Sequence, residues 1–135
     1  MTDQENVQRI QELYNSFGRG DVPAILELLT DDVVWYDPGP PEVPHAGRYS
    51  GREGVGQFFA SIGETLEIDE FAPTEFLAQG DRVVALGSLH ARVKETGHSY
   101  DNEWATVCTL RDGKVAGFRI YVRTLLASLR RRVVD

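Results

Sequence analysis

The chain has 135 residues, with 21 acidic against 14 basic side chains and a formal net charge of −7. That balance excludes nucleic acid as the main partner, because such binding neutralises phosphates with Lys and Arg. The length fits one domain spanning residues 1–135, large enough to bury about two thirds of the surface its unfolded form exposes.

The polar N-terminal region carries no secretory signal, and no run reaches the ~20 apolar residues of a membrane span. A soluble, cytoplasmic protein without a membrane partner is therefore expected. Thr2 and Glu5 have capping-box spacing, and Val7, Ile10, Leu13, Tyr14 and Phe17 recur every three or four residues after them, which predicts an amphipathic helix ending near Gly18 and Gly20. Asp21 caps a second, short helix that buries Ile25, Leu26, Leu28 and Leu29 and tolerates Pro23 in its first turn. An apolar strand, Val33-Val34-Trp35-Tyr36, then ends on Asp37-Pro38-Gly39. Strand side chains alternate faces, so Asp37 shares the face of Trp35 and Val33. Two readings of Asp37 stand side by side: a general base beside an indole in a low-dielectric site, or a carboxylate that caps the turn before Pro38.

Residues 38–50 are rich in Pro and Gly, carry His45, and predict a long loop framing a pocket mouth. Val55, Phe58, Phe59, Ile62 and Leu66 restore helical spacing, with Gly54 and Gly56 each weakening that helix by about 1 kcal/mol relative to Ala. The Gly51-Arg52-Glu53-Gly54-Val55-Gly56 run lacks the βαβ context of a phosphate-binding loop.

From about Ile68 the pattern becomes strands: Thr74 to Ala78, Arg82 to Lys94, Tyr100 to Leu110 and Lys114 to Arg123, joined by turns at Gln79-Gly80-Asp81, Thr96-Gly97 and Asp112-Gly113. Pro73 suits only an edge or a bend. Thr124 opens a last amphipathic helix closed by Arg130-Arg131-Arg132, whose charges suit a helix C-terminus. Helices first and an antiparallel meander afterwards predict an α+β domain with its helices on one face of the sheet. Cys108, the lone cysteine, sits in an apolar run and reads as a buried hydrophobe. His45 and His98 fall in loops and read as surface residues. No spacing of His with Asp, Glu or Cys matches a metal motif, so no metal and no cofactor are expected.

The markers Gly20-Asp21, Asp31-Asp32-Val33-Val34-Trp35, Asp37-Pro38-Gly39, Gly47 to Gly51, Gly80-Asp81-Arg82-Val83 and Arg111-Asp112-Gly113-Lys114-Val115 occur in an order that resembles the NTF2-like superfamily. More narrowly, the chain resembles its SnoaL-like and ketosteroid-isomerase-like branch, from Val7 to about Leu129. The resemblance implies an NTF2-like cone: N-terminal helices packed on a strongly curved, mainly antiparallel sheet, one deep apolar pocket, and a homodimer through the sheet. It projects Leu13, Tyr14, Phe17, Trp35, Asp37 and Phe58 into that pocket. Alternation along the meander adds Leu86, Ser88 and His90, then Asn102, Trp104 and Thr106, then Ile120 and Val122. A lining this aromatic suits a hydrophobic, ring-containing small molecule.

Asp37 falls where ketosteroid isomerases carry their carboxylate base; that enzyme, with its Tyr and protonated Asp oxyanion hole, is a standard case of carboxyl pKa tuning. Here the Tyr position falls on Leu13, with Tyr14 about 100° around the helix, and the second donor's position falls on Thr106. The resemblance to limonene-type epoxide hydrolases puts that family's acids and Arg at Ile120, Ser88 and His90, so its triad is absent. SnoaL-type aldol cyclisation, which needs proton transfer and little else, fits Asp37 with His90 as catalytic candidates. His90 faces the pocket if Ala85, Gly87, Leu89, Ala91 and Val93 form the dimer contact, and solvent if they form the core. Asp101 and Glu103 alternate away from the pocket side. Arg123 replaces the Asp that SnoaL-like chains commonly carry there. A non-catalytic small-molecule binder is the alternative to the isomerase or cyclase, and an epoxide-opening enzyme of the same fold is a further one.

Overall fold

A computed structural model describes residues 2–39 and 43–122. The element order is α1 (Asp3–Gly18), α2 (Val22–Glu27), β1 (Leu29–Asp37), β2 (Gly47–Ser50), α3 (Gly51–Thr65), β3 (Leu66–Gln79), β4 (Arg82–Val93), β5 (Ser99–Arg111) and β6 (Lys114–Val122). The expected last helix, Arg123 and the basic cluster Arg130-Arg131-Arg132 lie outside the described residues.

The N-terminal helix starts as its sequence dictates. The Thr2 hydroxyl accepts from the Glu5 N–H at 3.1 Å, and the Glu5 carboxylate accepts from the Thr2 N–H at 3.0 Å, which satisfies two donors that a helix start leaves open. The Asp21 carboxylate caps α2 through the Ala24 N–H. Arg52, within the glycine-rich run, donates twice to the Leu29 carbonyl and pairs with Asp31 at 2.9 Å. That run therefore fastens the start of α3 to the start of β1.

The strands form one six-stranded sheet in the order β2-β1-β6-β5-β4-β3. Every neighbouring pair is antiparallel except β1 and β6, which run parallel. The α+β class stands, and the cone is corrected: the sheet is open and not strongly curved, with β2 and β3 as separate edges. Alternation in the sequence assigns faces but does not fix whether the edges of a sheet close.

The strand β3 is longer than the predicted Thr74 to Ala78. Asp69 and Thr74 are extra residues opposite β4, between the pairs Ile68↔Ala91 and Glu70↔His90 and between Pro73↔Gly87 and Glu75↔Leu86. Each bulge shifts the alternation by one, which turns Ile68, Phe71 and Phe76 to the same side despite their uneven spacing. Pro73 is accommodated because β3 is an edge strand.

The helices cover one face of the sheet, and the core lies between them. Ile10, Leu13, Ile25, Val33, Trp35, Val55, Phe58, Val83, Ala85, Cys108, Val115 and Phe118 are buried there. Cys108 is the buried hydrophobe its context predicted, with desolvation pushing its thiol up to about 12.

Candidate functional site

Asp37 ends β1 on the helix-covered side. Val33, Trp35 and Asp37 are buried in alternation, with Val34 and Tyr36 half-buried between them. The Asp37 residue is only 8% exposed. Desolvation pushes its carboxyl from 3.8 up to about 7. Desolvation is the cause of that shift, so the group is poised to exchange a proton near neutral pH.

The residue against it is His45, which the loop reading had placed on the surface. Its Nε2 stands 3.7 Å from Asp37 Oδ2, and the two side chains are 17% and 11% exposed. The cause is a strand the sequence did not announce. β2 pairs antiparallel with β1 and sets Gly47 opposite Asp37, which returns His45, two residues earlier, to the carboxylate. Tyr49 donates from its hydroxyl to the His45 carbonyl at 3.0 Å, and the His45 ring meets Phe58 edge-on at 6.3 Å. Burial lowers the His45 pKa. Its Nδ1 is buried without a hydrogen-bond partner among the described residues. The phenols of Tyr49 and Tyr100 are shifted upward, first by desolvation and then by the Asp37 charge, so both lie within its field.

An aromatic wall continues from Asp37 into the core. Trp35 stacks on Phe118 at 3.8 Å and meets Phe58 and Phe59 at 5.7 and 5.5 Å. Trp104 stacks on Phe71 at 5.0 Å, and Tyr14 touches both rings. These rings pack between the helices and the sheet.

Tyr14 lies inside. Its hydroxyl is 2.5 Å from Thr106 Oγ1, and burial raises its pKa well above 10.0. Thr106, on which the resemblance places the second donor's position, is therefore bonded to Tyr14 of α1 and not to Leu13. Leu13 itself is core, and Phe17 packs at the core margin against Phe59 and Phe71. Asn102, Trp104 and Thr106 share the inner face of β5, with Ile120 and Val122 packed against the core from β6. Trp35 Nε1, Trp104 Nε1 and Asn102 Oδ1 are buried without partners among the described residues.

The β4 candidates are corrected. Leu86 pairs with Ala105, Ser88 with Glu103 and His90 with Asp101, so Leu86, Ser88 and His90 lie on the outer face, opposite Trp104 and Thr106. The inner residues of β4 are Val83, Ala85 and Ala91, with Gly87 directly across from Trp104. His90 bonds Asp69 at 2.6 Å on the outer side, far from the role assigned to it beside Asp37. The physical reason is packing: the small residues of β4 make room for the large rings of β5.

One apolar cleft of ≈ 190 Å³ opens where Phe17, Val22, Phe59, Ile62 and Leu66 meet, and a more polar one of ≈ 360 Å³ lies at Asn6, Asp81 and Asp112. The first is lined by no titratable side chain, and Asp37 lines neither. Among the described residues no three His, Cys, Asp or Glu side chains are grouped to hold a metal, and no helix is long and apolar enough to cross a membrane.

Residues 10–118 match the SnoaL-like domain family. Among solved structures, an NTF2-like protein from Burkholderia xenovorans LB400 is 36% identical, covers 93% of this chain and 94% of its own, and superposes with a TM-score of 0.83. An NTF2-like protein of unknown function from Burkholderia pseudomallei K96243 is 28% identical over 94% and 95% of the two chains, with a TM-score of 0.84. TerC, co-crystallised with polyporic acid, is 28% identical over 92% and 95%, with a TM-score of 0.82. No curated protein matches the chain.

Proposed function

Because the chain belongs to the SnoaL-like family of the NTF2-like superfamily, we propose that it binds a hydrophobic ring compound and catalyses proton transfer on it, with Asp37 as general base. The observation that carries this reading is a carboxyl buried at the end of an aromatic strand and pushed up to about 7 by desolvation alone. The co-crystallisation of TerC with polyporic acid supports a small molecule as ligand.

In the reaction the Asp37 carboxylate takes a proton from a carbon next to a ketone. The C–H electron pair becomes the new C=C bond, and the carbonyl π pair moves onto oxygen to give an enolate. Isomerisation follows when the Asp37 carboxyl returns the proton to another carbon; aldol closure follows when the enolate carbon attacks a second carbonyl of the same molecule, whose oxygen takes the proton from Asp37. General-base catalysis of this kind contributes roughly 10² to 10⁴ in rate.

The test is exchange of the α-protons of 2-tetralone in D₂O, followed by proton NMR. Wild type is expected to accelerate exchange, more strongly as pH rises through the Asp37 pKa because only the carboxylate can accept. Asp37→Asn should lose roughly 100-fold or more. Exchange that is equal in the two proteins would remove Asp37 from the mechanism.

Non-catalytic binding is the second reading, favoured by Tyr14 and Thr106 satisfying one another. It expects thermal stabilisation by ring compounds without any chemical change to them. In either case we take the protein to act as a homodimer through the outer face of the sheet, where Leu77 and Tyr121 are exposed large apolar residues.

A further inference from the structure

We infer that His45 is the second catalytic residue of the site: its Nδ1–H donates to the oxygen that becomes the enolate, while its Nε2 faces Asp37. The inference rests on the Asp37 reading above and supplies the donor which that reading lacks.

Four observations support it. The ring of His45 stands with Nε2 3.7 Å from the carboxylate and with Nδ1 buried and without a partner among the described residues. A buried ring nitrogen with no bond is a costly arrangement unless something meets it. Second, 3.7 Å is longer than a hydrogen bond, so Asp37 does not hold the imidazole proton on Nε2 and the ring is free to carry it on Nδ1. Third, the ring is fixed from two sides, by the Tyr49 hydroxyl on its own carbonyl and by the edge contact with Phe58. Fourth, the Tyr14 and Thr106 hydroxyls, the pair nearest the oxyanion-donor positions of the resemblance, bond each other at 2.5 Å.

The chemistry balances without a net proton on the imidazole. Asp37 takes the carbon-bound proton, and negative charge develops on the substrate oxygen beside Nδ1–H. The proton stays on Asp37 while the Nδ1–H donates to the oxyanion. When Asp37 returns its proton to carbon, the imidazole is as it began. Burial lowers the His45 pKa, which favours the neutral imidazole that this role uses. Neutral imidazole is an established electrophile in enolisation.

The test uses 2-naphthol as a stable mimic of the enolate oxygen on a ring, with naphthalene as the ring alone, and binding followed by fluorescence. Wild type should prefer 2-naphthol by about tenfold, the value of one buried hydrogen bond. His45→Phe should erase that preference while leaving naphthalene affinity within about twofold; His45→Gln, whose amide can donate, should restore part of it. Thermal melts of both variants check that they fold. A preference that survives in His45→Phe, or is absent from wild type, overturns the inference. If Asp37→Asn abolishes 2-tetralone exchange while naphthol binding ignores His45, the Asp37 reading stands and the His45 role falls. If neither naphthol nor naphthalene binds, both fall.

Discussion

Between pH 3.8 and about 7 the folded protein holds a proton on Asp37 that the unfolded chain has released. Stability from this group is therefore full below the unfolded pKa and is lost as pH rises through the folded one, a difference on the order of 2 to 4 kcal/mol. Asp37→Asn keeps the shape and removes the ionisation. The variant is expected to melt close to wild type near pH 4 and clearly above it by about pH 8, with the gap opening through this range. His45 pulls the other way: its lowered pKa means the unfolded chain binds the proton more tightly, so its contribution rises with pH below the ordinary His value. A gap between wild type and Asp37→Asn that does not change with pH would show that Asp37 titrates like an exposed carboxylate. A stabilising substitution at a catalytic position is the usual mark of a site held strained for function.

At the scale of elements, β4 decides how the interior is filled. Gly87 lies opposite Trp104, and a Cβ there would overlap the indole and stand 2.5 Å from the Ala72 carbonyl. Gly87→Ala is expected to destabilise by about 1 to 3 kcal/mol through overpacking, read by urea denaturation, with a change in Trp fluorescence. Gly63→Ala on α3, where a Cβ meets nothing within 4 Å, is expected to stabilise by about 0.5 to 1 kcal/mol. A Gly87→Ala protein as stable as wild type would mean that Trp104 does not lie across the strand.

The same strand shows where the sequence was legible and where it was not. Capping at Thr2 and Asp21, the face shared by Val33, Trp35 and Asp37, and the inward side of β5 followed from spacing, because one face of each is plainly more apolar. In β4 both faces are apolar, so alternation left open whether Leu86, Ser88 and His90 or Val83, Ala85 and Gly87 point inward. The complement of small residues on β4 to Trp104 on β5 was the available signal. His45 was hidden for a different reason: β2 is four residues long, too short for a periodic pattern. A further hint was Gly39, since a Cβ there would stand 2.9 Å from that of Ala46, a closeness that folds the loop back on itself.

For the whole molecule, among the described residues the helices cover only one face of the open sheet, and the side chains of the other face are not those of a solvated surface. Across the strands, Leu77 pairs with Val84, Val84 with Val107, Val107 with Arg119, and Arg119 with Tyr36. A second row joins Leu86, Ala105 and Tyr121. Arg119 lies over the rings of Tyr36 and Tyr121, at 5.6 and 6.0 Å, a grouping of residue types that anchors interfaces. Farther along the same face the character changes to Glu70, His90 and Asp101, in register with one another, which suits the rim of an interface more than its centre. Val107 stands mid-sheet in the apolar row, where a second copy packed face to face would bury it and exclude water. A cation at that point, beside Arg119 and facing its own copy, would be desolvated without a partner. Val107→Arg is therefore expected to convert a dimer to a monomer in sedimentation velocity at micromolar concentration, with the far-UV spectrum unchanged because the side chain points away from the core. A wild-type protein that sediments as a monomer, or a Val107→Arg variant that remains a dimer, would place the interface elsewhere.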